Sequence, residues 1–428
     1  MADKNKLLVI GAGPMGLAAA YYAQKRGIEV EVIEAAPVAG GMAVHFDFDG
    51  VSIERFYHFC CLSDYDTFAL MDELGLKMQW RTTRMGYYVD GKLYRWGDPV
   101  SLLTFPKLNP IEKLRYGLLA FSSTKRNDWQ RLDKITARDW LVGWCGERVY
   151  DKIWRKLLSL KFYEYTDDIS AAWLWQRISR VGRSRKSLLE EKLGYIEGGS
   201  EPLVKALIAA IEAKGGKVSL GNGAARFLIK DGAVTGVELK DGAVAEASQV
   251  ISTVPLPYVP GLLSDAPDLA RRYEGFENVG VACVILKLAR SVSPNFWVNV
   301  SDERMAIPGF VEFSNLRPLP ETVVYVPYYM PTTNPKFANS DEDFIQESFG
   351  YLKLINPALT DADLLGARVG RLKHAQPVCG VNFAAQIPAA QTGIAGLQIA
   401  DTSFYYPEDR GVSESIKFAK GMVAELSA

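Results

Sequence analysis

The amino-acid sequence predicts an α/β fold: a parallel sheet flanked by helices, a second sheet of mixed direction, and a helical insertion. Three observations lead there. Residues 7–10 form a short apolar run closed by glycine, a helix-prone segment follows at 17–26, and a second apolar run at 29–33 ends on Glu34. That is the strand–helix–strand order of a parallel unit. Residues 98–185 are rich in Trp, Leu and basic residues and do not alternate as strands do, so they read as helical. Residues 279–329 hold several β-branched and aromatic runs divided by turn residues, which suits a mixed or antiparallel sheet.

The first unit carries a site. Gly11, Gly13 and Gly16 stand as G-x-G-x-x-G, with Pro14 and Met15 opening the helix. The first glycine allows a sharp turn, the second lets a pyrophosphate approach the backbone, and the third lets the helix pack close to the sheet. The helix N-terminus offers unpaired N–H groups and a positive dipole end. Glu34 ends the second strand, where a carboxylate accepts hydrogen bonds from a ribose diol. Ala35 and Ala36 follow it, a setting that disfavours an extra 2′-phosphate. This is a Rossmann-like dinucleotide unit; the stretch alone does not separate FAD from NAD. Gly40 and Gly41, followed by Met42, let the backbone pass close beside a bound cofactor.

Composition sets bounds. The 428 residues suffice for two or three domains, with 48% hydrophobic and 23% charged residues, an ordinary globular balance. The formal net charge of −1 gives no footprint for nucleic acid. Five cysteines without a CxxC pair and three histidines argue against a metal site or a disulfide framework. No signal peptide and no apolar run of transmembrane length is evident, so the expected location is the cytosol.

Further along, a hairpin is expected at 44–53 around Asp49-Gly50 and another at 86–95 around Asp90-Gly91. Asn109 and Pro110 open a helix with Ile111, Leu114, Leu118 and Phe121 on one face. Thr136 opens another, with Asp139 as a capping-box partner. The basic residues of this insertion (Lys107, Lys113, Arg115, Lys125, Arg126) suit a solvated face over a core or, alternatively, peripheral contact with a membrane. Ser200 caps a helix that runs to Lys214, and residues 217–220, 225–230, 233–239, 243–247 and 249–254 read as strands. A helix is expected at 341–355, and a strand at 397–401 ending in Asp401 precedes a final helix from Val412.

Four places spread along the chain resemble the FAD-dependent family of amine oxidases, protoporphyrinogen oxidase and phytoene desaturases, with UDP-galactopyranose mutase a more distant relative. They are Gly11 to Gly16 with Glu34; Gly40-Gly41; Gly198-Gly199 with the helix after it; and Ile399-Ala400-Asp401 with Gly411. The resemblance implies FAD as cofactor. It implies that Asp401 holds the ribityl or phosphate part, that Gly411, Val412 and Ser413 meet the flavin pyrimidine at a helix N-terminus, and that Ala225 touches adenine. The chain departs from the family pattern at Ala400, where glycine is usual before the aspartate, and at Met42, where arginine is frequent. The implied layout is a discontinuous FAD-binding domain (1–56, 190–256, 370–428), a mixed-sheet substrate domain (57–97, 257–369) and a helical lid (98–189).

A flavin carries its own redox chemistry, so the protein need only position a small-molecule substrate and sometimes take a proton. Candidates for that work are His58 within Tyr57-His58-Phe59, Arg410 before the last helix, and Lys287, where the resemblance to amine oxidases implies a lysine holding a water at the flavin. His374 and Cys379 are weaker candidates, the latter for a covalent flavin link. The expected activity is dehydrogenation of an apolar or amphipathic molecule by hydride transfer to flavin N5. Alternatives are a redox-neutral isomerase resembling the mutase, and a flavin-binding subunit without turnover.

Overall fold

Leu7 and Val9 of the first strand, Lys6–Ile10, face one hydrophobic layer, and Leu8 and Ile10 face another. The alternation of a strand apolar on both faces therefore places it mid-sheet between two covering layers. The computed structural model describes residues 6–184 and 190–426. The end of the expected lid, 185–189, and the chain ends of the expected FAD-binding domain, 1–5 and 427–428, lie outside the described residues.

The parallel sheet has the order Leu397–Ile399, Gln249–Ser252, Lys6–Ile10, Glu29–Ile33, Lys217–Ser219. Helices Pro14–Lys25, Glu201–Glu212 and Val412–Ala424 pack on one face. A three-stranded meander, Ala224–Lys230, Ala233–Leu239 and Val244–Glu246, covers the other with residues 256–273. Ser200 precedes the Glu201–Glu212 helix without a side-chain cap; its N–H and hydroxyl donate to Glu54 instead.

The second sheet has seven strands, in the order Leu364–Pro377, Asn278–Leu288, Thr322–Met330, Gly309–Glu312, Trp297–Val300, Met85–Val89, Lys92–Trp96. All pairs are antiparallel except Trp297–Val300 with Met85–Val89. The helix Asp341–Ile355, opened by a capping box between Ser340 and Asp343, covers one face through Phe344, Phe349 and Leu352. The edge strand Leu364–Pro377 escaped the sequence reading. Its half-exposed pattern and its Arg368, Arg371 and Lys373 give no clean alternation. Residue 370, the expected start of the last FAD-binding segment, falls inside this strand, which pairs in the mixed sheet. Likewise Lys192–Ile196, inside the expected middle FAD-binding segment, pairs with Met78–Thr82 and not with the parallel sheet.

The insertion's core, built on Leu119, Trp140, Leu141, Trp173, Leu174 and Trp175, is continuous with Tyr87, Val89 and Val279 of the mixed sheet. Thr136 caps the Ala137–Cys145 helix through Asp139 N–H, half of the expected box. The apolar face of the Pro110–Lys125 helix points outward: Ile111, Leu114, Leu118 and Phe121 are 70%, 64%, 49% and 62% exposed. Among the described residues no helix is long and apolar enough to cross a membrane.

Candidate active site

One cavity of about 1670 Å³ runs from the first strand's C-terminal end to the insertion. Single small-ligand pockets hold about 300–1,000 Å³, so there is room for a dinucleotide and a second molecule. Its first half is backbone. Gly11 turns at φ +105°, and a Cβ on Gly16 would lie 1.9 Å from the Gly11 carbonyl oxygen. The Pro14–Lys25 helix starts on Gly13 without a side-chain cap, which leaves its first N–H groups for an anion. Gly40 N–H donates to Ala12 O at 2.8 Å and brings Gly41 against Gly13, where a Cβ on Gly41 would lie 3.0 Å from the Gly13 Cα. Glu34 is held by Ala12 N–H and Ala36 N–H, both at 2.8 Å, one to each carboxylate oxygen, and it lines the cavity with Ala35 and Met42. Ala225 of the meander and Gly411 and Val412 of the last helix line it too, and that helix also lacks a side-chain cap.

Three expected cofactor contacts sit outside the lining, and the side chain of a fourth is engaged within the protein. Gly16 and Gly40 support the cradle from behind and do not line the cavity. Ser413 is buried toward the helix Tyr65–Glu73, its hydroxyl accepting from Thr67 N–H at 3.4 Å. Asp401 borders the cavity, but its carboxylate oxygens accept from Leu256 N–H and Ser403 N–H, each at 2.8 Å. The side chain is thus a structural cap for the turn Thr402–Tyr405. The glycine cradle, two uncapped helix starts and the fixed Glu34 together fit the diphosphate, ribose and flavin of FAD.

A model of flavin-containing amine oxidoreductases matches residues 16–360. The chain belongs to that family. Its cofactor is FAD. An oxidoreductase from Methanosarcina mazei is similar in structure, with 20% identity, a TM-score of 0.76, and 98% of this chain and 100% of that one covered. Reduced UDP-galactopyranose mutase gives 16% identity and a TM-score of 0.75, over 98% of this chain and 95% of that one. Mitochondrial protoporphyrinogen oxidase of Nicotiana tabacum is 34% identical over 124 residues, covering 28% of this chain and 23% of that enzyme. The ferredoxin–NADP reductase of Lactococcus lactis subsp. cremoris is matched over 11% of its length.

The second half of the cavity in this flavoprotein is made of side chains. His58 lines it, with Nδ1 buried and unpartnered. Burial lowers its pKa against the opposing pull of Glu54 and so favours a neutral ring. His374 also lines it, edge-on to Tyr258 at 4.6 Å, its pKa lowered by burial and by Lys373. Arg410 lines it while donating to Ala375 O and, at 3.0 Å, to the Tyr329 hydroxyl; only its backbone N–H meets Asp409, at 2.9 Å.

Lys287 does not reach the cavity. Cys283, on the same strand face, lines it, but Lys287 lies four residues on, about 13 Å along the strand. There its Nζ donates to Phe48 O at 2.9 Å and Asp49 at 2.7 Å. Cys379 is buried outside the lining, and burial pushes its thiol pKa up, the setting of an inert cysteine.

The sequence reading missed Lys161, Arg177 and Asp409. Arg177 donates to Asp409 at 2.6 Å, and its guanidinium lies 3.2 Å from the Trp173 ring centroid. A faint signal existed: Trp173 and Arg177 are spaced i, i+4 on one predicted helix, the spacing that stacks two side chains.

Proposed function

We propose that this flavoprotein dehydrogenates an apolar or amphipathic small molecule that reaches the cavity from an anionic membrane surface. The observation that carries the reading is the outward face of Ile111, Leu114, Leu118 and Phe121 beside the cavity wall formed by Leu102, Phe121 and Lys125. Contiguous exposed apolar side chains are rare on monomeric proteins without a partner. Lys113, Arg115 and Lys125 on the same helix, with Arg126 just past its end, supply charge complementary to acidic lipid headgroups. Five free, buried cysteines suit a reducing compartment, which favours the cytosolic leaflet.

In this reading Tyr116, Trp154, Leu158 and Leu174 line an apolar channel that sheds water from the substrate. When bound, FAD accepts a hydride at N5 and a separate electron acceptor reoxidises it. His58, neutral and with a free ring nitrogen in the wall, receives the proton that leaves a substrate O–H or N–H as the hydride departs.

Anaerobic titration of the holoprotein with long-chain alkyl amines, alcohols and acids tests the chemistry, and bleaching of the flavin is the supporting result. Turnover only after prior flavin reduction, with no net oxidation, would instead favour the redox-neutral isomerase. A flavin that no substrate class reduces or turns over would favour the non-catalytic subunit. Flotation with phosphatidylcholine vesicles, with and without phosphatidylserine, tests the membrane part. Leu118→Glu with Phe121→Glu is expected to abolish flotation and leave the flavin spectrum unchanged.

A further inference from the structure

Three cations meet in the cavity wall around two aromatic rings. Lys161 Nζ lies 5.1 Å from the Trp173 ring centroid and 4.8 Å from that of Tyr329. Arg177 stacks on Trp173, and Arg410 lies 5.5 Å from the Tyr329 centroid. All five side chains line the cavity. The carboxylate among them is Asp409, and it is taken up by Arg177 at 2.6 Å and by the Arg410 backbone N–H at 2.9 Å.

Three basic side chains face one carboxylate, and no described residue hydrogen-bonds the Lys161 amino group. Cation–π contacts at these distances return about 0.5–2 kcal/mol. Lys161 is half-buried in the cavity wall, and those contacts replace only part of the hydration that an ammonium loses there. The fold gives each arginine a fixed pose, Arg177 through Trp173 O at 3.0 Å and Arg410 through the Tyr329 hydroxyl at 3.0 Å, while leaving donors on both guanidiniums. Held arginines with spare donors, beside an ammonium with none engaged, are the donor set for an oxyanion. Burial and then the two arginines push the Lys161 pKa well down, which marks the same missing negative charge.

We propose that Lys161, Arg177 and Arg410 bind the acidic head, a carboxylate or a phosphate, of an amphipathic substrate whose apolar remainder lies toward Leu102 and Phe121. The geometry along the Ala171–Arg183 helix agrees. Leu174, Arg177, Ile178 and Val181 form one cavity-facing stripe, and Gly182 packs on Thr124 of the exposed helix. Arg177 is therefore about 7.5 Å along the axis from that crossing. An acid head at Arg177 and an alkyl chain leaving beside Phe121 span that length.

The assignment rests on the reading that this cavity takes the substrate, but its test needs no turnover. Holoprotein is titrated with decanoate and decyl phosphate, with decanol and decylamine as controls, and binding is read from flavin absorbance and tryptophan fluorescence. At least one acid is expected to bind about tenfold or more tighter than decanol; the two acid arms separate carboxylate from phosphate. Lys161→Met is expected to erase that advantage and leave decanol affinity unchanged. Lys161→Arg is expected to restore acid binding. Equal affinity for decanol and both acids, or acid binding untouched in Lys161→Met, would overturn the assignment. Flavin reduction by a neutral amphipath without acid binding would sink this site alone and leave the oxidoreductase reading standing.

Discussion

Arg177 donates to Asp409 across 2.6 Å and so ties the helical insertion to the loop that opens the last helix. Burial raises the Asp409 pKa, yet Arg177, Lys161, Arg410 and Arg180 together hold it at about 2. A carboxylate lowered on folding contributes stability that is full above its unfolded pKa and is lost as pH falls through the folded one. Asp409→Asn removes the carboxylate from this half-buried pair and is expected to cost about 1–3 kcal/mol. The melting-temperature gap to wild type should be constant from neutral pH down to about 4 and should narrow below it. A gap independent of pH from 7 to 3 would show that the pair is not charged in the folded protein.

Asp401→Ala tests the cap. Removing the carboxylate strands two backbone donors, Leu256 N–H and Ser403 N–H, in a buried turn. Each unsatisfied buried group costs about 1–3 kcal/mol, so a clear drop in melting temperature is expected while the folded fraction keeps one FAD per chain. Loss of FAD at an unchanged melting temperature would return the side chain to the cofactor.

That residue shows how far the sequence was legible. The dinucleotide unit could be read because its glycines answer to local sterics, and the sixteenth residue meets the eleventh within one turn. Asp401 could be placed at a strand end beside the cofactor helix, but the use of its oxygens depends on Leu256, which is 145 residues away in sequence. Lys287 could be put on a strand, yet its distance from the site depends on where along the strand the cavity ends. The outward turn of Ile111, Leu114, Leu118 and Phe121 was hidden for a similar reason. An apolar helical stripe looks the same whether a core or a membrane covers it. The cation cluster joins residues 161, 177 and 410 from two helices of the insertion and a C-terminal loop, and no spacing rule links them.

Gly16→Ala places a methyl group 1.9 Å from the Gly11 carbonyl oxygen, which is backbone and cannot yield as a side chain would. The helix must shift off the sheet, and a loss of about 3 kcal/mol is expected together with poor FAD retention. Gly143→Ala is the matched control. It lies within the helix Ala137–Cys145 with nothing within 4 Å of an added Cβ, so a gain of about 0.5–1 kcal/mol is expected at unchanged FAD content. Similar behaviour of the two variants, by flavin absorbance per chain and by thermal unfolding, would contradict the close helix–strand contact.

Glu312 ends the strand Gly309–Glu312 in the interior of the mixed sheet, outside the cavity lining, and accepts from Ser293 N–H at 2.8 Å. Burial raises its pKa from 4.5 to about 7, only partly offset by hydrogen bonds from Ser291, Ser293 and Val292, with no cation to help. The sign is opposite to that of Asp409. The folded chain keeps a proton that the unfolded chain has released, so stability is full below pH 4.5 and falls as pH rises to about 7. Glu312→Gln keeps an acceptor for Ser293 N–H and cannot ionise. Relative to its own value near pH 4.5, the variant should gain on wild type by up to about 3 kcal/mol by pH 7 and then stay level. Thermal unfolding of both proteins from pH 4.5 to pH 8 decides it. Parallel curves across that range would mean that Glu312 is already ionised inside the sheet, its charge held by the donors of Ser291, Val292 and Ser293.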